Sequence, residues 1–163
     1  MRDEVTKMEM KSNSAGQKRR SGIIELIVLI VLPILLNYLF PLKVIITPPL
    51  SYLGIIVMIA GFGCMALAAK EFRSKKTGFQ LKSGGTELVI SGPFRFSRNP
   101  MYLGMVIWMS GLAVFLGSLV VFFFPVALFL LAHVVLIPIE EKKMEQVFGM
   151  DYLNYKKDVR RWV

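Results

Sequence analysis

Ser91-Gly-Pro-Phe-Arg-Phe-Ser-Arg-Asn-Pro-Met-Tyr-Leu-Gly104 decides how the rest of the chain reads. The passage is basic and aromatic, turns at Gly92-Pro93, and runs through Asn99-Pro100 straight into an apolar stretch. Proline suits the first turn of a helix, where its missing N–H is not needed, so a helix is expected to begin there. Long apolar runs lie on either side. The passage is therefore read as a loop at the surface of a membrane leading into a spanning helix, and an acidic pair, Glu140-Glu141, stands where the last apolar run ends.

Composition supports a membrane setting. Of the 163 residues 55% are apolar, and the mean hydropathy of +0.57 is high for a soluble domain. A net charge of +9 suggests nucleic acid or an anionic surface. The charges decide between these by being gathered in blocks beside apolar runs, so membrane lipids and no nucleic acid are the expected partners. Cys64, the single cysteine, can form no internal disulfide and reads as a small packing residue.

Residues 1–21 are polar and basic and read as a disordered cytoplasmic leader, because the apolar run that follows is long and lacks the small-residue cleavage site of a signal peptide. Residues 22–163 read as one membrane-integral domain. Its four spans fall at about 22–39, 50–69, 101–116 and 119–139, lengths set against the roughly 20 residues a bilayer needs. Pro33 is expected to kink the first span, and Pro125 and Pro138 to interrupt the fourth. Gly54, Ala60, Gly61, Gly63, Ala66 and Ala68 give the second span a small-residue surface for close helix packing. Gly117-Ser118 permits only a tight hairpin between the third and fourth spans.

Residues 70–100 form a structured cap in which the apolar island Leu88-Val89-Ile90, too short to span, packs back onto the protein. Lysine and arginine number six in the leader, seven in the cap and six in the tail, with only Lys43 on the other side. Four spans with both termini cytoplasmic follow. Beyond the glutamates, residues 140–163 alternate basic and aromatic positions as an amphipathic surface helix would. The expected fold class is thus an all-α membrane protein, with four transmembrane helices, a cytoplasmic loop cap and a C-terminal amphipathic helix.

Little conventional chemistry is encoded. There is no phosphate-cradling glycine loop, and one histidine with one cysteine cannot make a His/Cys metal cluster, so no metal is expected. His133, inside the fourth span, is either a functional ionisable group or a hydrogen-bonding residue. The remaining constellation is Arg95, Arg98, Asn99 and Tyr102 at one helix mouth and Glu140-Glu141 at another, which a tight hairpin would bring side by side. Such a set fits a zwitterionic ligand, or equally a group of interfacial salt bridges.

These residues resemble a known family. Gly92-Pro93-Phe94, Arg98-Asn99-Pro100-Met101-Tyr102-Leu103-Gly104, Glu140-Glu141 and Phe148-Gly149-x-x-Tyr152-x-x-Tyr155 are similar to the signature of the isoprenylcysteine carboxyl methyltransferase and phospholipid methyltransferase superfamily. The resemblance runs from about Lys82 to the C-terminus. It implies an integral membrane methyltransferase that uses S-adenosylmethionine on a lipidic or lipid-modified acceptor, with isoprenylcysteine-like O-methylation first and phospholipid-amine N-methylation as the alternative.

By position it implies cofactor contacts at Thr86, Glu87, Leu88, Val89, Phe94, Asn99, Pro100, Met101, Tyr102 and Glu140, with Arg98 and Glu141 as catalytic candidates. The chain departs from the isoprenylcysteine enzymes in two places: Asn99 stands where they have histidine, and Leu136 where they carry an arginine one turn before the glutamates. Two readings of other kinds are a four-helix proton-coupled transporter with Glu25 as proton site, and an inactive membrane scaffold. Oligomeric state is not legible.

Overall fold

The computed structural model of the protein describes residues 30–40, 44–74 and 88–163. The leader over 1–21, the beginning of the first span, Glu25, and the loop positions Thr86 and Glu87 lie outside the described residues. The chain divides into two units, Met1–Pro41 and Leu42–Val163. The first contains α1, Ile30–Leu39.

In the second unit a 3-10 turn, Leu50–Tyr52, leads into α2, Leu53–Ser74. After a 3-10 turn at Gly92–Arg95 comes α3, Pro100–Leu116. Helix α4, Leu119–Leu131, passes through a π turn, Ala132–Leu136, into α5, Ile137–Phe148, and α6 spans Met150–Asp158. Among the described residues two rods are long and apolar enough to cross a membrane: Leu50–Ser74, with 25 residues, and Leu119–Phe148, with 30. Helix α3, with 17 residues, is shorter, about 25 Å at the α-helical rise.

Glycine brings α2 and α3 into backbone contact. Gly54 and Gly61 on α2, and Gly104 and Gly111 on α3, are each seven residues apart and so share a helix face. A methyl group on Gly61 would lie 2.5 Å from the Trp108 nitrogen and 2.7 Å from the Gly104 oxygen, and one on Gly111 would lie 2.6 Å from the Met58 nitrogen. Only hydrogen fits there, and dispersion between touching backbones replaces the hydrophobic force that lipid surroundings remove. Of the expected small-residue surface the structure uses Gly54, Gly61 and Ala68, all buried. Gly63 faces open space, and Ala60 and Ala66 are exposed.

The hairpin expected at Gly117-Ser118 is present. Gly117 is left-handed at φ 66°, its N–H donates to Ala113 at 2.9 Å, and its carbonyl accepts from Ile45 N–H at 2.7 Å. A side chain there would collide with the Ile46 oxygen as well as strain the backbone.

Three boundaries differ from expectation. Helix α2 runs on to Ser74, so Lys70 and Arg73 are helical; lysine, glutamate and arginine are good helix formers and no breaker precedes Ser74. Neither proline interrupts the fourth helix. Pro125 is buried within α4, and Pro138 sits in the first turn of α5 just after the π turn, whose wider register accommodates a residue without an N–H. The tail is not one helix. Gly149, at φ 54° and ψ −123°, separates α5 from α6, and after Asp158 the chain leaves helical geometry, Val159 being extended.

Candidate functional site

The segment between the 3-10 turn and α3 is held mainly by the far end of the chain. Arg98 N–H donates to the Arg160 carbonyl at 3.0 Å. Asn99 Nδ2 donates to the Arg161 carbonyl at 3.1 Å, and Ser97 Oγ donates to the same oxygen at 3.3 Å. Buried Ser97 also accepts the Asn99 N–H at 3.1 Å. Asn99 stands at the N-cap of α3 but does not cap it with its side chain; the amide is turned to the C-terminal segment instead. That segment thus acts as a strap across the start of α3.

Side chains fasten the strap from the other side. Arg161 Nη2 donates to Glu141 Oε2 at 2.7 Å and Arg161 Nε to Oε1 at 3.3 Å, the forked geometry that guanidinium offers a carboxylate. Trp162 Nε1 donates to His133 Nδ1 at 3.1 Å, and its ring lies 4.7 Å from that of Phe129. Of the two readings left open for His133, the structure shows the hydrogen-bonding one, with the tail as partner. Tyr155 Oη donates to the Phe94 carbonyl at 2.7 Å, tying α6 to the 3-10 turn.

Glu141 is the centre of the charged part. Its side chain is only 6% exposed, and three cations surround it: Arg161, Arg98 with Nη1 at 3.3 Å from Oε1, and Lys156 at 3.9 Å from Oε2. Lys156 also pairs with Glu145 at 2.8 Å. Arg98 is itself 9% exposed. Its Nη1 approaches Glu141 without hydrogen-bond alignment, and its Nε has no hydrogen-bond partner. Nearby Tyr152 is buried, and desolvation, reinforced by the Glu141 carboxylate and opposed by Arg98, pushes its phenol up to about 12. Burial raises Tyr155 as well.

Glu140, one residue away, is in a different environment. It is exposed and accepts the Tyr102 hydroxyl at 2.9 Å. The expected convergence of the two helix mouths is therefore observed, as two parallel links: Tyr102 to Glu140, and Arg98 to Glu141. Arg95 is exposed and joins neither.

The other positions drawn from the resemblance fall on the α2 side. Val89 and Phe94 are buried with Ala68, and Phe72 and Met101 pack against them. Phe72 and Phe94 meet edge to face at 5.1 Å. Leu88 is half-buried, Ile90 is half exposed, and Pro100 is fully buried. The island thus packs back onto the protein. Sequence reasoning missed Ser97, Lys156, Arg161 and Trp162. The available signal was charge balance: a carboxylate buried at the helix mouth needs cations, and Arg160-Arg161 are two in a row.

The donor set suits the ammonium or hydroxyls of a ligand: the exposed Glu140 carboxylate and the half-buried Tyr102 phenol can receive them, whereas the Arg98 guanidinium is buried against Glu141.

No curated protein and no solved structure matches this chain. The phospholipid methyltransferase family model matches residues 50–151, a stretch that contains the two membrane-length helices up to Phe148, the Arg98–Tyr102 turn and both glutamates. With that match covering more than half of its length, the chain belongs to the phospholipid methyltransferase family of membrane proteins.

Proposed function

We propose that the protein is an integral membrane methyltransferase using S-adenosylmethionine, built as one domain over residues 22–163 with four spans and both termini cytoplasmic. The observation that carries this reading is the paired link at the helix mouths, with Tyr102–Glu140 facing solvent and Arg98–Glu141 locked beneath it, inside the segment that the family model matches.

When bound, the cofactor supplies an electrophilic methyl group on a sulfonium. The protein's task is then to hold the acceptor atom in line with it. Glu140 and Tyr102 would hold the cofactor's polar groups, with Asn99, Pro100 and Met101 shaping the wall beside them. The loop positions Thr86, Glu87, Leu88 and Val89 and the Phe94 ring belong to the same proposed pocket. Arg98 and Glu141, the catalytic candidates, are better assigned to positioning, since Glu141 is committed to Arg161 and Lys156 as well as to Arg98.

The acceptor is lipidic. O-methylation of a prenylcysteine would require a cation to hold the acceptor carboxylate. Leu136 is apolar, and the nearby guanidiniums of Arg98 and Arg161 are both engaged by Glu141. Methylation of an amine-headed lipid requires a carboxylate to hold the headgroup and a neutral amine at the moment of attack. With both guanidiniums taken by Glu141, the amine-headed lipid is the better supported acceptor.

Calorimetry of the detergent-solubilised protein with S-adenosylhomocysteine tests the cofactor. Binding should weaken in Glu140→Ala and Tyr102→Ala and persist in Lys157→Ala, an exposed position away from the site. Absence of binding at high micromolar ligand in the wild type would defeat the enzyme reading and leave the scaffold alternative standing. Labelled cofactor offered with a prenylcysteine analogue or an amine-headed phospholipid then identifies the acceptor by which product carries label.

A further inference from the structure

Away from the glutamates, the last three turns of α2 and the start of α3 form an open groove of about 650 Å³. Phe62, Met65 and Ala66 make its floor, Met101 closes it from α3, and Lys70 and Arg73 stand at its polar end. One basic residue at a helix C-terminus needs no further explanation, since it complements the helix dipole. Two of them three residues apart, on one face and directly above an apolar trough, make an amphiphilic site.

Charge and length narrow the occupant. Among the described residues no acidic side chain lines the groove. Glu71, between the two cations in sequence, accepts the Ser91 hydroxyl at 2.6 Å and does not border it. Neither Lys70 nor Arg73 has an ion pair among the described residues. Among the described residues the groove thus offers two positive charges and no negative one, which favours a head of net negative charge over a zwitterion. From Phe62 to Lys70 the helix rises about 12 Å, close to the roughly 15 Å depth of one leaflet's hydrocarbon. A lipid whose chain reaches Phe62 therefore has its phosphate level with Lys70 and Arg73.

We propose that this groove seats an acidic phospholipid of the surrounding bilayer, with one acyl chain along Phe62, Met65 and Ala66 and the phosphate held by Lys70 and Arg73. Met101 borders both this groove and the proposed cofactor wall, but neither Tyr102 nor Glu140 lines the groove, and the proposal does not rest on the methyl-transfer reading.

The test is thermal unfolding of the full-length protein in neutral detergent, titrated with phosphatidylglycerol or phosphatidylcholine, since a ligand of the folded state raises the transition temperature with concentration. Phosphatidylglycerol should stabilise the wild type at much lower concentration than phosphatidylcholine. Lys70→Ala/Arg73→Ala should need about 30-fold more phosphatidylglycerol for the same shift, from about fivefold per cation. Ala66→Phe, which fills the exposed floor and keeps both charges, should also lose the preference. Lys142→Ala/Lys143→Ala removes the same charge from an exposed face of α5 and should behave as wild type. Equal response to the two lipids would overturn the proposal. So would a preference that survives the Lys70/Arg73 and Ala66 variants, or one lost equally in the Lys142/Lys143 variant.

Discussion

Arg161 is the third-last residue and lies beyond the stretch that the family model matches, yet it makes the shortest contact to the buried glutamate at the centre of the site. Arg161→Ala removes the 2.7 Å bond to Glu141 Oε2 and the 3.3 Å bond to Oε1. A hydrogen bond to a charged group contributes about 1.5–3 kcal/mol. Stripping a buried charge of its only partner costs more, about 3–5 kcal/mol, but here Arg98 and Lys156 remain at 3.3 and 3.9 Å. The expected loss is therefore near the lower range, about 2 kcal/mol, or a fall in transition temperature of roughly 6 °C for a chain of this length. Arg161→Lys keeps the charge and loses the fork, and should lose about half as much.

Thermal unfolding in detergent micelles, followed with a thiol-reactive dye at the single cysteine, Cys64, measures this directly. The control is a double-mutant cycle with Glu141→Gln. If the pair acts as described, Arg161→Ala costs clearly less in the Glu141→Gln background than in the wild type. A cost for Arg161→Ala below about 0.5 kcal/mol, the ordinary range of surface substitutions, or an equal cost in both backgrounds, would refute the strap as a stabilising element.

Trp162→Phe keeps the stacking on Phe129 and loses the bond to His133, so it should cost about 1 kcal/mol, read in the same unfolding assay. Gly61→Leu should destabilise by at least about 1–3 kcal/mol, an overpacking cost, because its Cβ would already lie 2.5 Å from the Trp108 nitrogen; Gly63→Leu, facing open space, should be tolerated, and a comparison of folded yields checks both. Tyr152 holds its proton more tightly folded than unfolded, its pKa rising from 10.0 to about 12. Its contribution is therefore complete below pH 10 and lost as pH rises from 10 to about 12, so Tyr152→Phe should flatten the alkaline fall in stability over that window.

The helical class and the hairpin were legible because they rest on local signals: apolar runs of membrane length, Pro100 at a helix start, Gly117 at a turn. The glycine pairing was half legible. A stripe on α2 could be seen, but which of its six small residues touch a neighbour depends on α3, where Gly104 and Gly111 look like ordinary members of an apolar run. The prolines misled because propensity counts a missing N–H as a break, whereas the π turn before Pro138 lets the rod continue. The strap was invisible for a different reason. Five residues after Asp158 carry no periodicity, and their contacts with Ser97, Arg98 and Asn99 are more than sixty positions away in sequence, so only the fold could pair them.

Adjacent glutamates on a helix point about 100° apart, so a Glu-Glu pair at a helix mouth cannot place both carboxylates in one environment. Here the inner one is buried and neutralised by three cations, and the outer one is exposed with a phenol as its hydrogen-bond partner. The two roles are coupled through the backbone of α5. If the inner carboxylate is fixed by Arg98 and Arg161, the outer one is held at a set angle to Tyr102. Asn99 belongs to the same arrangement, because its amide needs the Arg161 carbonyl that the strap delivers. Glu141 thus orients Glu140, and loss of the strap should weaken ligand binding at Glu140 although no strap residue is proposed to touch the ligand. Arg161→Ala should therefore raise the dissociation constant for S-adenosylhomocysteine, while Lys142→Ala, beside Glu141 in sequence but on the exposed face, should leave it unchanged. Equal affinities in both variants would mean that Glu140 is positioned independently of its neighbour.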